Sequence, residues 1–189
     1  MALHLGTHST ENESNERNLM RGRNEPILYL DFDGVLHHSN VFWSSDAGFH
    51  LRAPDRYRLF QHGELLETLL RPYPDIRIVL STSWARGPHG SFESAVSMLS
   101  PELQRRVLGQ TVYQEITASK QLSRGEQVLA DVKLRLPKGW LAVDDVDDGF
   151  DSHRGQLVQS HQYEGLAGEG VAEELSEKLK ALLRKRRAH

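Results

Sequence analysis

The chain contains no cysteine. Disulfides, a thiolate nucleophile and cysteine-bound zinc are therefore excluded, and any chemistry must rest on oxygen and nitrogen groups. No apolar run approaches the roughly 20 residues needed to span a bilayer. The opening stretch MALHLGTHSTENESNERN also lacks a hydrophobic signal core. These absences point to a cytoplasmic protein without a membrane segment. A strong net charge is missing as well: at -3 there is no global pull toward nucleic acid or anionic lipid, so any basic recognition surface is local. No Walker loop, GxSxG elbow or GxGxxG fingerprint occurs, and none of the 10 histidines forms an HExxH spacing.

What is present suits one globular unit. The 189 residues, 38% hydrophobic and 26% charged, are enough for a single core and one active site. Residues 1–24 are polar, without apolar periodicity, and read as a flexible tail; residues 25–189 read as the folded domain. Ile27 to Leu30 form an apolar run of strand length. Leu59, Phe60, Leu65, Leu66, Leu69 and Leu70 have helical spacing and stop at the RPYP prolines. IRIVLSTSW gives a second strand, SFESAVSML a serine-capped helix, and RVLGQTVY a short third strand. SRGEQVLADVKLRL, closed by Pro137, is a helix. GWLAVDD and GQLVQS are strands, and GVAEELSEKLKALLRKRR is an amphipathic helix. Strands alternating with helices predict a three-layer, Rossmann-like α/β fold with a mostly parallel sheet. Ligands of such sheets bind beyond the C-terminal strand ends, where strand order reverses.

Three predicted strands carry polar residues at that end: Asp31 and Asp33, then Ser81, Thr82 and Ser83, then Asp144 and Asp145. The first of them, ILYLDFDGV, runs straight from buried apolar residues into two carboxylates. Like charges so close oppose each other's ionisation, and desolvation adds to the penalty. A hard cation offsets both costs, and an all-oxygen donor set without cysteine suits Mg²⁺. An aspartate held there can attack phosphorus, while a second protonates the leaving oxygen and later deprotonates water.

On these motifs the chain resembles the haloacid dehalogenase-like (HAD) hydrolase superfamily. DFDGV matches its Asp-x-Asp-Gly first motif, IVLSTSW its Ser/Thr-ended strand and LAVDD its later acidic strand end. The resemblance implies Asp31 as nucleophile, and Asp33 as acid/base that also offers its backbone carbonyl to Mg²⁺. It implies Ser81, with Thr82 as the alternative, as a phosphate ligand, and Asp144 and Asp145 at the metal. The lone basic residue of the third motif is assigned to Arg124, with Lys120 as its substitute. Within the superfamily the chain is most similar to the HAD domain of Swiss Army Knife RNA repair proteins, through LDFDGVLH, STSW and WLAVDD. Ala85 stands before Arg86 where that subgroup has arginine directly after the tryptophan.

The expected function is Mg²⁺-dependent phosphomonoester hydrolysis through an aspartyl-phosphate. The alternative is a catalytically silent phosphate-binding or protein-interaction module on the same fold. Residues 34–76 leave room for only a minimal cap. With Arg52, Arg56, Arg58 and Arg86 in the segments expected to rim the pocket, the expected substrate is a nucleotide or nucleic-acid-end phosphate. His37 and His38 read as polar loop residues, Trp84 as a packing aromatic, and Asp147, Asp148 and Asp151 as solvated loop charges. The terminal RKRR complements its helix dipole.

Overall fold

In the computed structural model, which describes residues 21–86, 88–111 and 122–184, the apolar runs become the strands of one parallel sheet. These are β1 (Pro26–Leu30), β4 (Arg77–Leu80), β5 (Val107–Gln110), β6 (Gly139–Asp144) and β7 (Leu157–Gln159), in the order β5-β4-β1-β6-β7. The chain builds outward from β1 through β4 to β5, then crosses back to place β6 on the other side of β1. Strand order thus reverses at β1, and the crevice beyond its C-terminal end is the switch point where such sheets bind ligands.

Both faces of the sheet are covered, so the strands carry runs of apolar residues rather than alternating with polar ones. Leu28 and Leu30 of β1 face a layer containing α1 (Gly63–Leu70) and α5 (Val171–Arg184), through Leu66, Leu70, Leu175 and Leu179. The short helices α2 (Phe92–Ser97) and α3 (Pro101–Gln104) add Ala95 and Leu103 to the same core. Ile27 and Tyr29 point to the opposite face, against Val128 of α4 (Arg124–Arg135) and Phe150. Burying one such aliphatic side chain is worth about 1.5–3 kcal/mol. Under α4, Tyr29 Oη donates to Asp131 (2.7 Å), and Arg135 donates to the same carboxylate at 2.7 and 2.9 Å with both ionic side chains fully buried. The expected three-layer α/β architecture is the one observed.

Three local features depart from the expectations. The helix read from Leu59 onward begins only at Gly63, because Phe60 adopts a left-handed backbone (φ 57°) that no α-helix accommodates. The minimal cap is a two-stranded antiparallel hairpin, β2 (Val41–Ser44) and β3 (Gly48–Leu51), in a segment whose mixed polarity hid its strands. Residues 21–24 form a turn onto α4, where the Arg21 carbonyl accepts from Arg135 at 2.6 Å and Asn24 N donates to Leu136 O at 3.1 Å. The rest of the expected tail, and Lys120, lie outside the described residues. Among the described residues no helix is long and apolar enough to cross a membrane.

Candidate functional site

The backbone ladders continue one residue past the strands and set the site. Ser81 N donates to Leu30 O (2.9 Å) and Asp31 N to Val143 O (3.2 Å), so Ser81, Asp31 and Asp144 finish neighbouring strands at the same height. Beyond them Gly34 turns with φ 68°, and its carbonyl accepts from Ser160 Oγ at 2.7 Å. A side chain at Gly34 would overlap the Asp145 carboxylate, so the glycine of DFDGV makes room for the acid of LAVDD.

Asp31, Asp144 and Asp145 each offer a carboxylate oxygen, all within 4.8 Å of one another. Arg124 faces two of them, with its guanidinium 3.8 Å from Asp31 Oδ2 and 3.5 Å from Asp144 Oδ2, and it also donates to the Ser81 carbonyl. Its placement is built by the ends of two loops. Ser123 and Glu126 form a reciprocal cap at the start of α4. Gly125 N donates to Asp148 O at 2.9 Å, and a side chain at Gly125 or Gly149 would overlap the opposing loop. The acidic loop after β6 thus holds Arg124 through backbone groups. Asp148 contributes its carbonyl there, and Asp147 pairs with Arg154 at 3.2 Å on the surface.

One guanidinium does not neutralise this many acids. Burial raises the pKa of Asp31, against the opposing pull of Arg124 and a hydrogen bond from the Thr82 hydroxyl. Asp144 is pushed well above the usual carboxylate range by burial and by Asp31. Asp145 is raised to about 6, again by burial first and Asp31 second. Asp31 Oδ1 and Asp144 Oδ2 are buried without a hydrogen-bond partner. Orphaned buried carboxylate oxygens are costly, and a set of converging acids with such atoms fits a hard divalent cation.

Of the phosphate ligands expected after β4, Ser81 meets Arg124 through its carbonyl. Thr82 turns its hydroxyl to Asp31, and Thr82 Oγ1 accepts from Trp84 N at 3.3 Å, capping the 3₁₀ turn Ser83–Ala85. Asp33 stands on the open side, with its side chain 29% exposed. It accepts from Trp84 Nε1 at 3.0 Å (Oδ1) and 3.1 Å (Oδ2), and pairs with His37 Nε2 at 3.1 Å. These two residues were missed by the sequence reading. His37 is fully buried rather than a polar loop residue, and Trp84 is both packed and hydrogen-bonded. The available signal was their proximity in sequence to the two motifs.

Of the arginines expected at the rim, Arg52, Arg56 and Arg86 are engaged by neighbours. The Arg52 guanidinium lies 4.1 Å over the Phe42 ring, Arg56 lies 4.6 Å over Tyr57, and Arg86 donates to Gln127 Oε1 at 2.5 Å. Arg58 is exposed.

The family described as "HAD domain in Swiss Army Knife RNA repair proteins" matches residues 27–171, which run from the second residue of β1 past β7 and include Asp31, Asp33, Asp144 and Asp145. No curated protein and no solved structure matches the chain.

Proposed function

The chain belongs to the family of HAD domains in Swiss Army Knife RNA repair proteins, and on that premise we propose that it is a Mg²⁺-dependent phosphomonoester hydrolase acting through an aspartyl-phosphate on Asp31. The coarser reading, a HAD-type hydrolase, follows from the family. The finer one is supported above all by the Asp31, Asp144 and Asp145 cluster, where one guanidinium pairs with two of the three acids and two buried oxygens lack hydrogen-bond partners.

Asp31, Asp144 and Asp145 would hold the ion, with the Asp33 carbonyl as the further ligand. Bound Mg²⁺ supplies Lewis-acid polarisation of a phosphoryl oxygen and relieves the repulsion among the carboxylates. The chain's own residues do the rest. An Asp31 oxygen attacks phosphorus as the ester P–O bond breaks, and Asp33 gives its proton to the departing oxygen. Asp33 then takes a proton from water, whose oxygen attacks the acyl phosphate and releases inorganic phosphate and the Asp31 carboxylate. Arg124 and the Ser81–Thr82 turn hold the transferring group and balance its charge.

A nucleotide or nucleic-acid-end phosphate is the proposed substrate, in the cytoplasm. The cap is a short hairpin, compatible with a bulky substrate, and Arg52, Arg56 and Arg58, which follow it in the sequence, are exposed. The test is phosphate release from p-nitrophenyl phosphate and from phosphorylated oligonucleotides, with and without Mg²⁺. Turnover that requires Mg²⁺ and is lost in Asp31→Asn is the expected result. Phosphate binding without turnover on either substrate would favour a silent binding module instead.

A further inference from the structure

The motifs specify Asp33 but not what holds it. Its carboxylate is reached by the Trp84 indole N–H, forked at 3.0 and 3.1 Å to both oxygens, and by His37 Nε2 at 3.1 Å to Oδ1. Neither donor is there by default, since His37 is 0% and Trp84 3% exposed. A histidine and a tryptophan serving only as packing would not both aim ring nitrogens at one carboxylate.

The donors are themselves held. His37 Nδ1 accepts from Phe60 N at 3.2 Å, which assigns the hydrogen to Nε2 and directs it at Asp33. Phe60 makes that contact from its left-handed backbone conformation (φ 57°), a costly state that persists where the surroundings over-determine it. The Phe60 ring then packs edge-on against His37 (4.9 Å), Phe32 (5.2 Å) and Trp84 (5.4 Å). From the cap hairpin, Phe49 stacks on the Trp84 ring at 3.9 Å and 18°.

We propose that His37 and Trp84 are positioning residues that fix the Asp33 carboxyl so that Oδ2 is the oxygen that exchanges the proton. The assignment rests on the hydrolase reading above. Oδ1 accepts from both donors, whereas Oδ2 receives only the longer branch of the Trp84 fork. In the first displacement the Oδ2 proton passes to the ester oxygen as its bond to phosphorus breaks. In the second, Oδ2 takes a proton from the attacking water. The fork and the His37 bond keep the carboxyl plane fixed through both transfers.

The experiment compares esters that differ in their need for that proton. The full chain with Mg²⁺ is assayed on phenyl phosphate, whose leaving group needs protonation, and on p-nitrophenyl phosphate, whose leaving group departs as a stable anion. Trp84→Phe keeps the ring and removes the donor. It should lower kcat on phenyl phosphate about tenfold and on p-nitrophenyl phosphate no more than about threefold, with KM little changed. His37→Gln, which retains an N–H donor, should keep more of the phenyl phosphate rate than His37→Leu. Equal losses on both esters, or no loss, overturn the positioning role while the hydrolase reading stands. A wild type that turns over neither ester nor a phosphorylated oligonucleotide overturns the hydrolase reading and the role together. A readout independent of turnover is the Trp84 indole N–H resonance, assigned by its disappearance in Trp84→Phe. It should lie downfield and move upfield in Asp33→Ala, and a resonance that ignores Asp33 overturns the assignment.

Discussion

Gly34 leaves open the space that the Asp145 carboxylate fills, and it does so from a backbone conformation, φ 68°, that favours glycine. Gly34→Ala therefore incurs a strained left-handed residue and an overlap with the Asp145 carboxylate. The expected loss of stability is about 1–3 kcal/mol, read by urea denaturation. Displacement of Asp145 should also cost about 100-fold in Mg²⁺-dependent turnover. Unchanged Mg²⁺ dependence in a folded Gly34→Ala protein would contradict the packing argument.

Arg124 is one cation serving two acids and a carbonyl, through a planar fork that lysine does not have. Arg124→Lys should keep the fold and lower kcat by about 10²-fold, the scale of losing one transition-state donor. Steady-state rates on p-nitrophenyl phosphate check this, and a rate within about twofold of wild type would contradict it.

Burial, with Asp31 beside it, raises the Asp145 pKa to about 6. Between its ordinary value and 6 the folded state binds more protons than the unfolded chain, so this residue makes metal-free stability fall as pH rises through that window. Asp145→Asn removes the penalty. In chelator at neutral pH it should be more stable than wild type by about 1–2 kcal/mol, allowing for partial solvent screening, and the gap should close near pH 4. Added Mg²⁺ should reverse the order at neutral pH by stabilising wild type alone. Denaturation midpoints across this pH range test the sign.

On the far face of the sheet, Asp131 is fully buried between Arg135 and Tyr29. Asp131→Ala leaves the guanidinium buried without its counter-ion, and should cost about 3–5 kcal/mol. Tyr29→Phe removes one hydrogen bond and should cost about 1 kcal/mol. Chemical denaturation distinguishes them, and a cost for Asp131→Ala no larger than for Tyr29→Phe would show that the ion pair within α4 adds nothing beyond the Tyr29 hydrogen bond.

What could be read in the sequence follows from how local each signal is. The strands β1, β4 and β6 are short apolar runs ending in polar residues, so both their existence and the meeting of Asp31, Ser81 and Asp144 at one sheet end were legible. Arg124 was legible as the first residue of a capped helix. Its grip on two acids was not, because that depends on Gly125 and Gly149 allowing two loops into contact. Phe60 has the spacing of a helix residue but spends its N–H on His37, a choice fixed by tertiary contacts. The roles of His37 and Trp84 were hidden for the same reason: they reach Asp33 from segments whose local pattern shows only packing.

The central claim is that Asp31 carries the phosphoryl group. Its most direct test is intact-mass spectrometry of the protein acid-quenched while it turns over p-nitrophenyl phosphate with Mg²⁺, followed by peptide mapping. The account predicts a transient species heavier by one phosphoryl group, located on the peptide containing Asp31, labile to hydroxylamine and absent from Asp31→Asn. Steady turnover with no phosphorylated protein at any quench time, or with the group on a different residue, would contradict it.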